Sequence, residues 1–150
     1  MPNKHIFHEG QAIWSMIDMN GHLRHSAYAD FAAQARVSIL EKYGFSKALA
    51  KLHIGPILFR EELIYHKEIR MNEYIEVSCE LLKCREDVSR YSLQSNIYRK
   101  SDGIKAAEVN VDGAWLDLNI RKLGTLPEDM QKTFLEMPKA PGFRIETIAY

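Results

Sequence analysis

The run Asp18-Met19-Asn20-Gly21-His22-Leu23-Arg24-His25-Ser26-Ala27-Tyr28 decides how the rest of the chain is read. It sets a carboxylate, a glycine break and two imidazoles within eight residues. The longest helical pattern in the molecule follows directly. From Tyr28, the residues Phe31, Ala32, Ala35, Ile39 and Tyr43 recur at steps of three and four, which is one face of a helix. Ser26 is the expected N-cap, and Asp30 suits the first turn. Ala27, Ala29, Ala32, Ala33 and Ala35 make the first half of this helix thin, so a sheet can lie close to it or wrap it. Gly44 is expected to close the helix, with Phe45 folding back over the last turn. Reactive side chains at a helix N-terminus stand beside N–H groups that lack an intrahelical acceptor and favour negative charge. The stretch therefore reads as the active site.

Outward from this stretch the pattern becomes extended. Upstream, Ile6 to Trp14 is expected to form a short strand with a bulge at Gly10. Downstream, Gly55-Pro56 is expected to break the chain before an extended segment from Ile57 to Ile69, and Asn72-Glu73 to turn it. Ile75, Val77, Cys79 and Leu81 alternate with Glu76, Ser78, Glu80 and Leu82, as in a half-buried strand. Ser89 to Tyr98 repeats the alternation, Ser101-Asp102-Gly103 reads as a hairpin turn, and Ala107 to Trp115 forms the next strand. Leu126-Pro127-Glu128-Asp129 starts a short helix, and the tail from Pro138 is expected to be irregular. A strand, one long helix and a series of antiparallel strands make an α+β layer fold in which the sheet curls around the helix. With no linker, repeat or low-complexity segment, residues 1–150 read as a single domain. Apolar residues on both faces of some strands imply that a second subunit covers part of the sheet.

Composition narrows the function. A hydrophobic content of 46% and a charged content of 27% are those of an ordinary soluble globular protein. Twenty Lys and Arg balance 20 Asp and Glu, which argues against nucleic acid or an anionic membrane as a partner. No apolar run approaches the roughly 18 residues that span a bilayer. Met1-Pro2-Asn3-Lys4-His5 lacks the apolar core of a signal peptide, and Cys79 and Cys84 are too few for a disulfide framework, so a cytoplasmic setting is expected. His5, His8, His53 and His66 show no ligand spacing, so neither a metal nor another cofactor is expected.

The set Asp18-x-x-Gly21-His22, Tyr28 and Ala35-Arg36 resembles the signature of hotdog-fold acyl-CoA thioesterases of the 4-hydroxybenzoyl-CoA thioesterase type. In that family the motif runs Asp-x-x-Gly-His-Val-Asn-Asn-x-x-Tyr, with Ala-Arg further along the same helix. Ser89-Arg90-Tyr91 and Gly113-Ala114-Trp115 also fall where such proteins place later strands. The chain departs from the pattern at Met16, where many members carry an acid, at Arg24-His25 in place of Asn-Asn, and at Gln34 in place of a glutamate. Asp18 and His25 are seven residues apart, the spacing of the Asp and His in a subgroup associated with the Tol–Pal system. The resemblance implies that Asp18 and His25 are the catalytic pair, that the substrate is an acyl-CoA or acyl-carrier-protein thioester, and that the protein works as a homodimer or dimer of dimers with sites between subunits.

The chemistry of the residues fits that implication. Asp18 can serve as general base on water or as the nucleophile, with a turn or cap residue as the bland alternative. Gly21 permits close backbone approach, and the amides from Gly21 to Ser26 can polarise a thioester carbonyl. His25 can orient water or protonate the leaving thiolate. His22 reads first as a loop-holding hydrogen-bonder and second as a substrate-positioning group; Tyr28 packs, with a hydroxyl that can reach the site. Arg36 reads as a salt-bridge or subunit contact. Arg85 and Arg90 are candidates for the CoA phosphates. A hotdog protein that binds acyl-CoA without turnover, as sensor or scaffold, is the alternative function.

Overall fold

The computed structural model describes residues 3–147. The N-terminal expectation at Met1-Pro2 and the tail expectation at 148–150 fall outside the described residues. The long helix α1 spans Ala27–Lys42 and buries Ala27, Tyr28, Phe31, Ala32, Ala35 and Ile39, the stripe read from the spacing. Strand β1 (Ile6–Gln11) lies against it. Gly10 is needed for this contact, since a Cβ there would stand 2.9 Å from Cε1 of Phe31. The expected bulge at Gly10 is absent; the irregularity in β1 falls between Ile6 and His8. The strand also stops short of Trp14, which opens a 3₁₀ turn (Trp14–Met16) and is 80% exposed.

Gly44 follows α1 in the left-handed region. Phe45 does not fold back. It begins a second helix, α2 (Phe45–Leu52), with Phe45 and Leu49 buried. Two turns are too short to raise a helical period above its surroundings, so the sequence pattern did not reveal α2. Strand β2 (Ile54–Tyr65) then starts before the expected Gly55-Pro56 break and ends before Ile69, which is buried in the next loop. Pro56 pairs with Trp115 inside the ladder. Proline is tolerated there because β2 is an edge strand, where one N–H face needs no partner.

The remaining strands are β3 (Tyr74–Ser78), β4 (Glu80–Arg85), β5 (Arg90–Arg99), β6 (Lys105–Asp117), β7 (Lys122–Gly124) and β8 (Lys139–Glu146). β6 pairs with β2 on one side and with β5 on the other. The far edge of β5 is shared: Ile75 and Val77 of β3 face Arg99 and Ile97, whereas Glu80 and Cys84 of β4 face Gln94 and Tyr91. The expected strand from Ile75 to Leu82 is thus one line interrupted at Cys79. β1 flanks β3 antiparallel, and β8 flanks β4 in parallel. The tail expected to be irregular is therefore a strand. Pro141 and Gly142 obscure its pattern, while the free edge of β4 supplies its hydrogen bonds.

Between β7 and β8, helix α3 (Glu128–Leu135) has Pro127 at its N-cap and Glu128 and Asp129 in its first turn. It seats Phe134 against Trp115, with ring centroids 5.9 Å apart, while Tyr91 meets Trp115 at 5.0 Å. The buried indole N–H of Trp115 donates to the Val88 carbonyl at 2.9 Å, so the polar edge is satisfied. β2 runs antiparallel to α1: Tyr65 packs on Tyr28 with centroids 5.1 Å apart, and Glu61 faces Arg36 further along. One curved, predominantly antiparallel sheet around a long helix is the hotdog fold.

Candidate active site

The loop before α1 is built by its own backbone. Ile17 and Leu23 form an antiparallel bridge, the Asp18 amide donates to the His22 carbonyl at 2.9 Å, and the Gly21 amide donates to the Asp18 carbonyl at 3.1 Å. Gly21 sits at φ +79°, the left-handed conformation the turn requires. The Asp18 carboxylate completes the turn: its Oδ1 accepts from the amides of Asn20 at 2.9 Å and His22 at 3.2 Å. Among the described residues, neither the second carboxylate oxygen of Asp18 nor the His25 ring makes a hydrogen bond. Asp18 thus combines the bland role with a free oxygen.

Asp18, His22, His25 and Tyr28 converge on one open pocket of about 310 Å³, completed by Leu23, by Tyr65 at the end of β2 and by His66, Lys67 and Glu68 in the loop after it. Gly21 and Ser26 are not in its wall. Ser26 holds the N-cap position in helical backbone and makes no side-chain cap; its hydroxyl instead accepts from Arg24 Nε at 3.0 Å. The capping expectation fails because a cap hydroxyl reaches back only from extended backbone. The Arg24 guanidinium goes on to the Ser15 carbonyl at 2.5 Å, tying the 3₁₀ turn to the start of α1.

Tyr28 is buried, and its phenol is pushed up to about 12 by that burial first, then by Tyr65, Asp18 and Glu73. At neutral pH it holds its proton and is a donor. His22 Nε2 stands 3.7 Å from Glu68 Oε2. Arg70, through a side-chain hydrogen bond, and then His22 hold the Glu68 carboxyl below its usual range. His22 therefore has a partner, whereas among the described residues the His25 ring has none. The Tyr65 hydroxyl donates to the His25 carbonyl at 3.2 Å and pins the backbone there. Tyr65, His66, Lys67 and Glu68 escaped the sequence reading because they lie some forty residues beyond His25, and only the fold brings β2 back to the start of α1.

Arg85 and Arg90 are not near Asp18 within one chain. They line a separate pocket of about 260 Å³ with Lys83, and the Arg90 guanidinium lies 4.4 Å from the Phe59 ring centroid. Burial pushes the thiol of Cys79 up to about 12 and that of Cys84 up to about 11, so both stay protonated at neutral pH. Among the described residues no group of His, Cys, Asp and Glu is arranged to hold a metal ion, and no helix is long and apolar enough to cross a membrane.

Solved structures with this fold include a probable thioesterase, YbaW, from Escherichia coli. It has 16% identity and a TM-score of 0.79, with 90% of this chain and 100% of that one covered. Slr0204 from Synechocystis, a 1,4-dihydroxy-2-naphthoyl-CoA thioesterase, gives 14% identity and a TM-score of 0.74, with 87% and 96% covered. SAV2348 from Staphylococcus aureus, solved in complex with CoA, gives 18% identity and a TM-score of 0.77, with 90% and 85% covered. No curated protein matches the chain. The sequence profile of the thioesterase-like superfamily matches residues 13–134, from the 3₁₀ turn through α3. That span contains the Asp18 loop, α1 and the sheet from β2 through β7, and the chain belongs to the thioesterase-like superfamily.

Proposed function

We propose that the protein hydrolyses acyl-CoA thioesters to a free carboxylic acid and CoA, with Asp18 and His25 as catalytic residues. The observation that carries this reading is the free carboxylate oxygen of Asp18 in a pocket shared with His25 and Tyr28, within a chain of a thioesterase-like family. In the general-base route, Asp18 takes a proton from water as the water oxygen bonds to the thioester carbon. In the nucleophilic route, the carboxylate itself bonds to that carbon, and water then hydrolyses the resulting anhydride. The carbonyl becomes an oxyanion, for which the protonated Tyr28 hydroxyl is the donor in the pocket; the amides of Gly21, His22, Leu23 and Arg24, expected to serve there, are engaged by Asp18, Ile69 and Met16. Collapse breaks the C–S bond, and a protonated His25 delivers a proton to the departing thiolate, regaining it from the proton that the attacking water releases. His22, paired with Glu68, holds the loop.

The same reading takes the active unit as a homodimer or dimer of dimers. β2 is a twelve-residue edge strand with Leu58, Phe59, Ile64 and Tyr65 exposed, the kind of edge that proteins cover or pair. Arg90 pairs with Ala114, which pairs with Ile57, so the Arg90 pocket lies at the opposite end of β2 from Tyr65, roughly 26 Å away at 3.3 Å per residue. Twofold pairing of two β2 edges would bring the Arg90 pocket of one protomer toward the Asp18 pocket of its partner. Arg85 and Arg90 then hold CoA phosphates, in line with the CoA bound by SAV2348. A cytoplasmic setting suits the two unpaired buried cysteines.

The direct test is thiol release from acetyl-, octanoyl-, palmitoyl- and benzoyl-CoA. Turnover of at least one, abolished in Asp18→Asn, is expected; binding without turnover across the panel would assign the protein to the acyl-CoA-binding alternative. Light scattering at micromolar concentration should give a dimer or larger. A stable monomer that retains full activity removes the shared site.

A further inference from the structure

A third pocket, of about 210 Å³, lies between α1 and the β2 side of the sheet. Its lining is apolar apart from Arg36 and the Tyr91 hydroxyl, with Val37, Leu58, Trp115 and Phe134 among its walls. An apolar cavity of about 150 Å³ already admits benzene, so this one has room for the end of an acyl group.

Arg36 is the feature that packing leaves unexplained. Its side chain is 14% exposed, and its Nη2 stands 3.9 Å from Glu61 Oε2, an ion-pair distance too long for a hydrogen bond. Its Nη1 is shut off from solvent and has no hydrogen-bond partner among the described residues. A guanidinium N–H left unpaired in an apolar wall is costly. Glu61 already offsets the charge, so what the site lacks is a hydrogen-bond acceptor rather than an anion.

The position relative to Asp18 gives the direction of the chain. Tyr28 lines the Asp18 pocket, and Arg36 is eight residues further along α1, roughly 12 Å at 1.5 Å per residue. Tyr65 and Glu61, their counterparts on β2, are four residues apart, roughly 13 Å at 3.3 Å per residue. Tyr28 meets Tyr65 at one end and Arg36 faces Glu61 at the other, so the two elements run side by side between the pockets, and Ala33 lines the Arg36 cavity. That separation of roughly 12 Å matches the length of a medium-length acyl chain whose thioester is held at Asp18.

We propose that the cavity at Arg36 binds the far end of the acyl group and selects medium-length chains carrying a neutral oxygen there, such as a hydroxyl. This rests on the thioesterase reading of the Asp18 pocket. The test compares kcat/KM on octanoyl-CoA, ω-hydroxyoctanoyl-CoA and octanedioyl-CoA. The wild type should favour the hydroxylated chain over octanoyl by roughly tenfold or more, the size of one hydrogen bond from a charged donor. Arg36→Met should erase that preference. Should Arg36→Met fail to fold, Val37→Trp, which fills the cavity from a half-exposed position, should lower kcat/KM on ω-hydroxyoctanoyl-CoA at least about tenfold more than on acetyl-CoA.

Equal rates on the plain and hydroxylated chains would overturn the proposal. So would a preference that survives in Arg36→Met or, where that variant does not fold, a Val37→Trp protein that loses no more on ω-hydroxyoctanoyl-CoA than on acetyl-CoA. A faster rate on octanedioyl-CoA than on the hydroxylated chain would overturn the assignment to a neutral oxygen. Calorimetry with ω-hydroxyoctanoate and octanoate reads the cavity without turnover. An inactive protein that still binds the hydroxylated acid more tightly would sink the thioesterase reading and keep this one; equal binding would sink both.

Discussion

Asp18→Asn should fold and assemble like the wild type while losing at least about 10²–10⁴-fold in thioester turnover, the range for a positioned base. The two carboxylate oxygens divide the turn role from the proposed catalytic one. Oδ1 accepts from the Asn20 and His22 amides, and an asparagine carbonyl oxygen can accept both. The second oxygen, free of hydrogen bonds among the described residues, becomes an NH₂ that neither accepts a proton nor attacks a carbonyl. Asp18→Ala provides the contrast. It removes both loop bonds as well, so it should lose activity and also about 1 kcal/mol of stability, a drop in Tm of about 2–4 °C for a chain of this size. Melting temperature and kcat measured on the same preparations distinguish the roles. A well-folded Asp18→Asn protein with near-normal turnover would return Asp18 to the status of a turn residue.

His25→Ala is expected to lower kcat by roughly 10²-fold, the size of one acid–base contribution. Its fold should be little affected, because the tertiary bond at this position is made by the His25 carbonyl, which Tyr65 keeps. His22→Ala should cost much less in kcat, since the His22 ring is engaged with Glu68. Its amide bond to Asp18 survives the substitution. Added imidazole should restore part of the activity of His25→Ala and none of that of His22→Ala. Equal losses in the two variants, or a larger one for His22, would reverse the division of roles.

Part of this protein could be read without its structure, and the reason is range. The α1 stripe, the turns at Asn72 and Gly103 and the strand alternation in β5 and β6 are local patterns, set by which side of a helix or strand meets the core. The loop before α1 is equally local: Asp18, Gly21 and His22 bond to one another within five residues. Their types suggested the candidate site and, through the resemblance, the family, which the sequence profile shows.

Pairing decided the rest. Lys139–Glu146 is a strand only because the edge of β4 is free to receive it, and Pro56 is tolerated only because β2 lies at an edge. Phe45–Leu52 is helical because Phe45 and Leu49 find buried places, one of them against the Trp115 ring. Ser26 makes no cap bond because its backbone is already helical, and its hydroxyl accepts from Arg24 instead. The site itself is completed from the end of β2, which spacing along the chain cannot place beside His25. Arg36 makes the same point: its helical position was legible, but only the packing of α1 against the sheet leaves its Nη1 buried without an acceptor. Periodicity records which face of an element is buried; it carries no record of which distant element does the burying.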